Sequence, residues 1–404
     1  MDTKGATAAR TRPAGVPQNV WAMGAVSFLT DFSTEMIYPL LPAFLTGTLG
    51  ASKAFLGAME GVAESLASLL KLFSGALADK LGVRKPIVTA GYTLSSLAKP
   101  IVAVASSPWH VLAVRIADRT GKGIRTAPRD ALIADSVDES QRGVAFGLQR
   151  TMDNAGAVTG PLAAALLLSL LAGNMRLVFA LSAVPALLCI VVLAVFVREV
   201  HPERRLEKSK TVLTLRPFDR VFLVYLAVVF LFTLGNSSDA FILLRASDMG
   251  LSMTLVPVAW VVLHVVKMVT SMPAGIVSDK VGRRKLIVAG WVVYAAVYAG
   301  FAVGHAPAHA WTLFAVYGVY FGFTEGVEKA FVADLVPADL RGTAYGAFNF
   351  AVGIGALPAS VVMGILWSSF GPRWAFGFGA GLALLASLLL AALVPEGRRE
   401  VEAA

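Results

Sequence analysis

Gly75-Ala-Leu-Ala-Asp79-Lys80-Leu-Gly82-Val-Arg84-Lys85 decides the fold of this chain, because it occurs twice. It returns as Gly275-Ile-Val-Ser-Asp279-Lys280-Val-Gly282-Arg-Arg284-Lys285, at an offset of 200 residues. Further on, Ile133-Ala-Asp135 followed by Arg142-Gly143-Val-Ala-Phe-Gly147 returns as Val332-Ala-Asp334 followed by Arg341-Gly342-Thr-Ala-Tyr-Gly346, now at 199. A period of half the chain means two copies of one structural unit. In each copy a short charged loop joins two long apolar stretches.

Those stretches fill the chain. Of its 404 residues, 56% are hydrophobic and 15% charged, and the mean hydropathy is +0.70. This is too apolar for a water-soluble protein of that length. A helix that crosses a bilayer needs roughly 20 mostly apolar residues, since no water is there to satisfy the backbone. Twelve such segments are legible, at 20–47, 53–78, 86–106, 109–134, 143–171, 174–197, 218–246, 254–278, 286–304, 308–333, 342–369 and 373–394. The expected fold is an all-α membrane protein of twelve transmembrane helices in two pseudo-symmetric six-helix bundles. The bundles are expected over 19–197 and 218–394, with an N-terminal tail 1–18, a linker 198–217 and a C-terminal tail 395–404. The first apolar stretch has no small-residue cleavage pattern and reads as a span, not a signal peptide.

The net charge of +9 suggests nucleic acid or an anionic membrane surface until the charges are placed. With both termini inside, twenty-one of the 35 Lys and Arg residues fall in cytoplasmic loops and tails. Only Lys53, Arg176, Arg245 and Arg373 fall on the other side. That is the positive-inside asymmetry of a multi-pass protein, with no nucleic-acid partner and a cell membrane, bacterial inner membrane, as its place. The single cysteine, Cys189, lies in an apolar run and reads as a small core residue.

The duplicated loop resembles the signature of the major facilitator superfamily, the glycine-aspartate-glycine-arginine pattern between the second and third spans, echoed between the eighth and ninth. In that family the loop governs the conformational cycle, so the resemblance implies gating roles for Asp79, Arg84 and Asp279. It also implies a substrate site between the halves near the midplane. A second resemblance lies in the fifth span, where Gly147, Gly156 and Gly160-Pro161 match a motif of the family's antiporters. Ala164 and Ala165 stand where glycines usually follow. These residues are expected to pack helices closely.

Ionisable groups inside a bilayer are costly and normally face a watery path or one another. Asp31 and Glu35 are four apart on the first span, and Glu60 and Glu64 on the second, so each pair shares a helix face. With Arg115, which fits by spacing an arginine that the family links to proton coupling, they are the candidates for carrying protons. Around the fourth span, Arg115, Asp118, Arg119, Lys122, Arg125, Arg129 and Asp130 fall within an arc of about 140°. Arg119 and Lys122 are expected in the substrate cavity, together with Asn236 and Asp239 of the seventh span, His264 and Lys267 of the eighth, and Glu325 of the tenth.

A shift of 199 lays Arg129-Asp130 onto Glu328-Lys329, with opposite signs. Pairing of Arg129 with Glu328 and of Asp130 with Lys329 is therefore expected when the cytoplasmic gate is shut.

No nucleophile motif, metal-ligand cluster or cofactor loop is present, and Gly121-Lys122-Gly123 lacks the spacing of a nucleotide-binding loop. The expectation is a non-enzymatic secondary transporter, working as a monomer. It would exchange protons for an amphiphilic organic molecule that it exports by alternating access, as in the drug-efflux branch. The alternative is an importer or exchanger of an organic anion or chelate, with the basic fourth span as its site.

Overall fold

The computed structural model describes residues 17–81, 83–138, 141–200, 218–337 and 340–396. The expected linker and both tails therefore lie largely outside the described residues. Within them the chain is helical, with short turns and no strand.

The first span is Gln18–Ile37, and it continues through Tyr38–Leu40, Leu41–Ala43 and Phe44–Thr48. Pro39 and Pro42 each remove a backbone donor, so this stretch passes through a tighter and then a wider helical turn. The others are Lys53–Leu81, Lys85–Val104, Pro108–Asp135, Arg142–Leu170 and Met175–Phe196 in the first half. The second half holds Arg220–Asp248, Val256–Val281, Arg283–Val303, Pro307–Leu335, Arg341–Phe370 and Pro372–Leu393. Prolines at the first helical position open the fourth, tenth and twelfth spans, where the missing N–H costs nothing. Asp219 caps the seventh, accepting from the Phe222 amide at 2.8 Å. Gly371, at φ +88°, makes the sharp turn into the twelfth.

Seven of these helices are long and apolar enough to cross a bilayer on composition alone. The other five are the first, second, fourth, fifth and tenth, which carry the charged stripes. Their polar faces turn inward, away from hydrocarbon: Glu60, Arg115, Asp118, Arg119 and Arg125 are all buried.

Within each half the helices pack against their neighbours, and the halves meet along two seams, span 2 against span 11 and span 5 against span 8. The repeat exchanges these two seams, so the assembly keeps its pseudo-two-fold. The bundle has a terminal end, where span 1 begins and span 12 finishes, and a far end carrying the turn at 49–52. Bonds across the seams cluster toward the far end. There the Ala54 amide donates to Ser368 Oγ at 3.2 Å and Lys53 lies over the Trp367 ring. Deeper in, Ser65 donates to the Gly353 carbonyl at 2.6 Å. Among the described residues no hydrogen bond or ion pair joins the halves nearer the terminal end.

Candidate functional site between the two halves

Spans 2 and 4 run in the same direction and face each other, and their charges form rungs. Arg115 grips Glu60 with two parallel bonds, Nε to Oε1 at 3.0 Å and Nη2 to Oε2 at 2.7 Å. Both are almost fully buried, at 5% and 1% exposure. A bidentate pair of this kind is among the stronger charge-assisted contacts, and its burial makes the loss of one partner expensive. Arg115 also sits over the Tyr38 ring at 5.4 Å. One turn further, Arg119 pairs with Glu64 at 3.1 Å, and the Glu64 side chain is 42% exposed to the space between the halves. Asp118 accepts from Ser95 and lies 3.9 Å from Arg115.

The two carboxylates of the first span are treated differently. Glu35 accepts the indole N–H of Trp260, on span 8, at 2.8 Å, and so joins the halves by a hydrogen bond and not an ion pair. Asp31 makes no hydrogen bond or ion pair among the described residues. Span 5 presses against this face: a Cβ on Gly156 would lie 2.6 Å from the Phe28 carbonyl oxygen, and one on Gly160 2.6 Å from that of Phe32. These two glycines let the backbones approach at the level of Asp31 and Glu35, and Pro161 continues the same buried face. Gly147 does not belong with them. It is exposed, with nothing near its missing Cβ, because it lies nine residues before Gly156 and so about 180° around the helix, on the face turned away from span 1.

In the second half the seventh span breaks at 236–239, and the freed polar groups turn to tyrosines. Asp239 accepts from Tyr317 at 2.8 Å, Asn236 donates to Tyr320 at 3.3 Å, and Ser237 lies 3.2 Å from the Tyr298 hydroxyl. Ser238 reaches across the seam to Glu60 at 3.3 Å. Lys267 pairs with Glu325 at 2.6 Å and lies over Phe321. His264 packs edge-on against Trp260, and its Nε2 is buried with no hydrogen-bond partner among the described residues. The wall on this side is therefore aromatic, where the first half's is charged.

The four gate residues at the terminal end are not paired across the halves in this structure. Arg129 bonds its own neighbour Asp130, at 2.8 Å. Glu328 accepts from Trp291 at 2.8 Å. Lys329 is exposed.

In the duplicated loops the Asp79 side chain lies outside the described residues. Arg84 forms an ion pair with Asp135 and donates to the Ala131 carbonyl, while the backbone amides of Arg84 and Lys85 cap onto Glu199. In the second loop Arg283 pairs with Asp334 at 2.8 Å and with Asp279 at 3.2 Å, and donates to the Ala330 carbonyl. The Arg284 amide donates to Glu396. The Arg84 side chain thus has its counterpart in that of Arg283, while the Arg84 backbone amide has its counterpart in that of Arg284.

Three functional candidates escaped the reading of the sequence. Trp260 gave no signal, because a tryptophan in an apolar run looks like packing. Lys99 is a buried lysine on span 3, donating to the Thr30 carbonyl at 3.2 Å and to Thr34 Oγ1 at 3.0 Å. With Tyr38, Arg115 and Asp118 it lines a cavity with about 20 Å³ for the centre of a water, room for roughly one molecule. Lys71 had a signal: it lies seven residues after Glu64, within about 20° on the same helical face. Among the described residues no cluster of three His, Cys, Asp or Glu side chains is placed to hold a metal.

A family model described as Major Facilitator Superfamily matches residues 23–356 and 246–404. An uncharacterized MFS-type transporter of Methanocaldococcus jannaschii is 35% identical over 379 residues, covering 92% of this chain and 94% of that protein. The chain belongs to the Major Facilitator Superfamily. Its fold agrees: a mutant of the nucleoside transporter NupG superposes with a TM-score of 0.78 at 15% identity, over 93% of this chain and all of that one. A shorter similarity, 32% over 154 residues, links it to the multidrug resistance protein MdtH of Cronobacter sakazakii, covering 38% of this chain and 37% of that protein. As a superfamily member the chain is a multi-pass membrane transporter of small molecules.

Proposed function

We infer that this superfamily member is a proton-coupled antiporter that exports an amphiphilic organic small molecule by alternating access. It would work as a monomer in a bacterial inner membrane with both termini in the cytoplasm. In that orientation the terminal end faces the cytoplasm, and the bonds between the halves at the far side, with the seam around Glu35–Trp260, support reading this as an inward-open state.

One observation carries the coupling. Of the paired acids Asp31 and Glu35 on span 1 and Glu60 and Glu64 on span 2, Glu60 and Glu64 already have arginines, while Asp31 and Glu35 have none. A carboxylate held in a poorly solvated space without an ion-paired cation is a group that takes up and gives back a proton. A positively charged group on the substrate competes with the proton for the same acids, which is what exchange requires. The aromatic wall opposite, with Tyr38, Trp260, Tyr317 and Phe321, supplies the apolar contact an amphiphile needs. The partial likeness to MdtH supports the same direction.

The test is proton movement in proteoliposomes loaded with a pH-sensitive dye. Adding tetraphenylphosphonium to the substrate side should release protons from wild-type protein and not from Asp31→Asn. The alternative, an importer of an organic anion, has the opposite sign. Protonating Asp31 would remove one of the negative charges that act on Lys122, so proton and anion would enter together and the dye would report co-uptake.

A further inference from the structure

The ladder between spans 2 and 4 changes character beyond its second rung. Glu60 faces Arg115 and Glu64 faces Arg119, acid against base. Continuing toward the terminal end, the same two helical faces next present Lys71 and Lys122. Taking Glu60 as origin, Lys71 lies about 20° around its helix, and Lys122 lies about 20° from Arg115 on the other side of its own. Lys71 lies about one turn nearer the terminal end than Lys122, so the two bases stand staggered along the ladder. Among the described residues neither lysine makes a hydrogen bond or ion pair through its side chain, although both are partly buried. The charged groups that Lys71 feels most are Lys122, Glu64, Arg119 and Lys329, and the acid among these is already held by Arg119. Arg119 adds a donor: it is 6% exposed, and its Nε is buried without a hydrogen-bond partner. Lys122 also feels Asp31 and Arg125, but no carboxylate comes within ion-pair distance of it.

Like charges gathered in a poorly solvated place repel, and an arrangement of that kind is maintained where something negative comes to occupy it. We propose that Lys71, Lys122 and the free edge of Arg119 form a subsite for an anionic group on the transported molecule, a carboxylate, sulfonate or phosphate. The inference rests on the passage being the substrate path, as read above. Taken with the unpaired acids Asp31 and Glu35 nearby, it makes the fitting substrate a zwitterionic amphiphile. The positive end competes with the proton, while the negative end is held by the lysines and confers selectivity.

Two probes that differ only in the anionic group isolate the subsite. Binding of 3-(decyldimethylammonio)propanesulfonate and of decyltrimethylammonium is measured on the full-length protein in lipid nanodiscs. Wild type should bind the sulfonate-bearing probe about tenfold more tightly or better, the size of one or two charge-assisted bonds. In Lys71→Gln and Lys122→Gln that ratio should fall toward one. Lys122→Arg should restore it, and Lys285→Gln, an exposed lysine on the duplicated loop, should leave it unchanged. A wild-type ratio at or below one, or a ratio untouched in both glutamine variants, overturns the subsite. If a glutamine variant fails to fold, the arginine variant and the wild-type ratio still decide. Proton release in the liposome assay is a separate readout. Its absence alongside a lysine-dependent ratio would sink the coupling and spare the subsite, and the reverse pattern would do the opposite.

Discussion

Trp260 of span 8 donates its indole N–H to Glu35 of span 1 at 2.8 Å, and the same ring lies 5.7 Å from that of Tyr38, so one side chain ties the halves together beside an acid. The bond is strongest when Glu35 is ionised, because a charged acceptor holds a donor more tightly than a neutral one. Trp260→Phe keeps the ring and removes the donor. It should shift the equilibrium toward opening at the far end by about tenfold, the worth of one hydrogen bond to a charged group. Distances between spin labels on the far-side turns of spans 1 and 7 report this. An unchanged distribution would show that the seam at Ala54–Ser368 and Ser65–Gly353 holds the halves without it.

Glu60 and Asp31 should respond in opposite ways to neutralisation. Glu60→Gln strands Arg115 in a buried position, and breaking a buried pair costs about 3–5 kcal/mol. The variant should show a clear loss of thermal stability. Asp31 has no partner to strand, so Asp31→Asn should stay as stable as wild type. It should keep downhill substrate exchange but lose accumulation driven by a pH gradient. The paired measurement is the melting temperature in detergent together with gradient-driven and equilibrium exchange. A stable Glu60→Gln, or an Asp31→Asn that still accumulates, would contradict the division of roles.

The architecture was legible because its determinants are long-range and crude. Twelve apolar lengths, a lopsided placement of Lys and Arg, and a repeated loop need no side-chain geometry to be read. The fourth span's charged arc was also legible, since helical periodicity alone puts Arg115 and Arg119 on one face. Which acid each arginine would take was not. Spacing shows that Glu60 and Glu64 share a face with each other, but the difference between them and the pair Asp31 and Glu35 comes from which helix packs opposite. Gly147 makes a different point: the motif groups it with Gly156 and Gly160, yet nine residues before Gly156 it faces the opposite side of the helix. In the second loop Arg283 and Arg284 are adjacent and alike, and only the partner Asp334 shows which side chain repeats the Arg84–Asp135 pair.

Gly160 should be intolerant of size. A side chain there meets the Phe32 carbonyl and the Glu35 Cβ, and overpacking at a helix contact costs about 1–3 kcal/mol. Gly160→Leu should pry span 5 from span 1 and lower gradient-driven transport several-fold, since Glu35 would lose its position relative to Trp260. Gly147→Leu, with open space at its Cβ, should be near wild type. Comparing transport rates of the two variants at equal membrane expression checks this, and equal damage from both would argue that span 5 is sensitive along its whole length.

At the terminal end Arg129 and Glu328 are each occupied within their own half, by Asp130 and Trp291. In the inward-open reading these local bonds are what the residues make while the two halves stand apart there. On closure the repeat would bring the fourth and tenth spans together at equivalent heights, where an arginine would meet a glutamate. Trading an intrahelical neighbour and an indole for a direct ion pair would favour the closed state without requiring any new side chain. Arg129→Glu or Glu328→Arg alone places like charges at that meeting point and should slow transport roughly tenfold or more, as close like-charge contacts cost a few kcal/mol. The double variant restores opposite signs in exchanged positions and should recover most of the rate. Initial rates in proteoliposomes decide it: a double variant no faster than the slower single would show that each residue serves only the partner it has in the open structure.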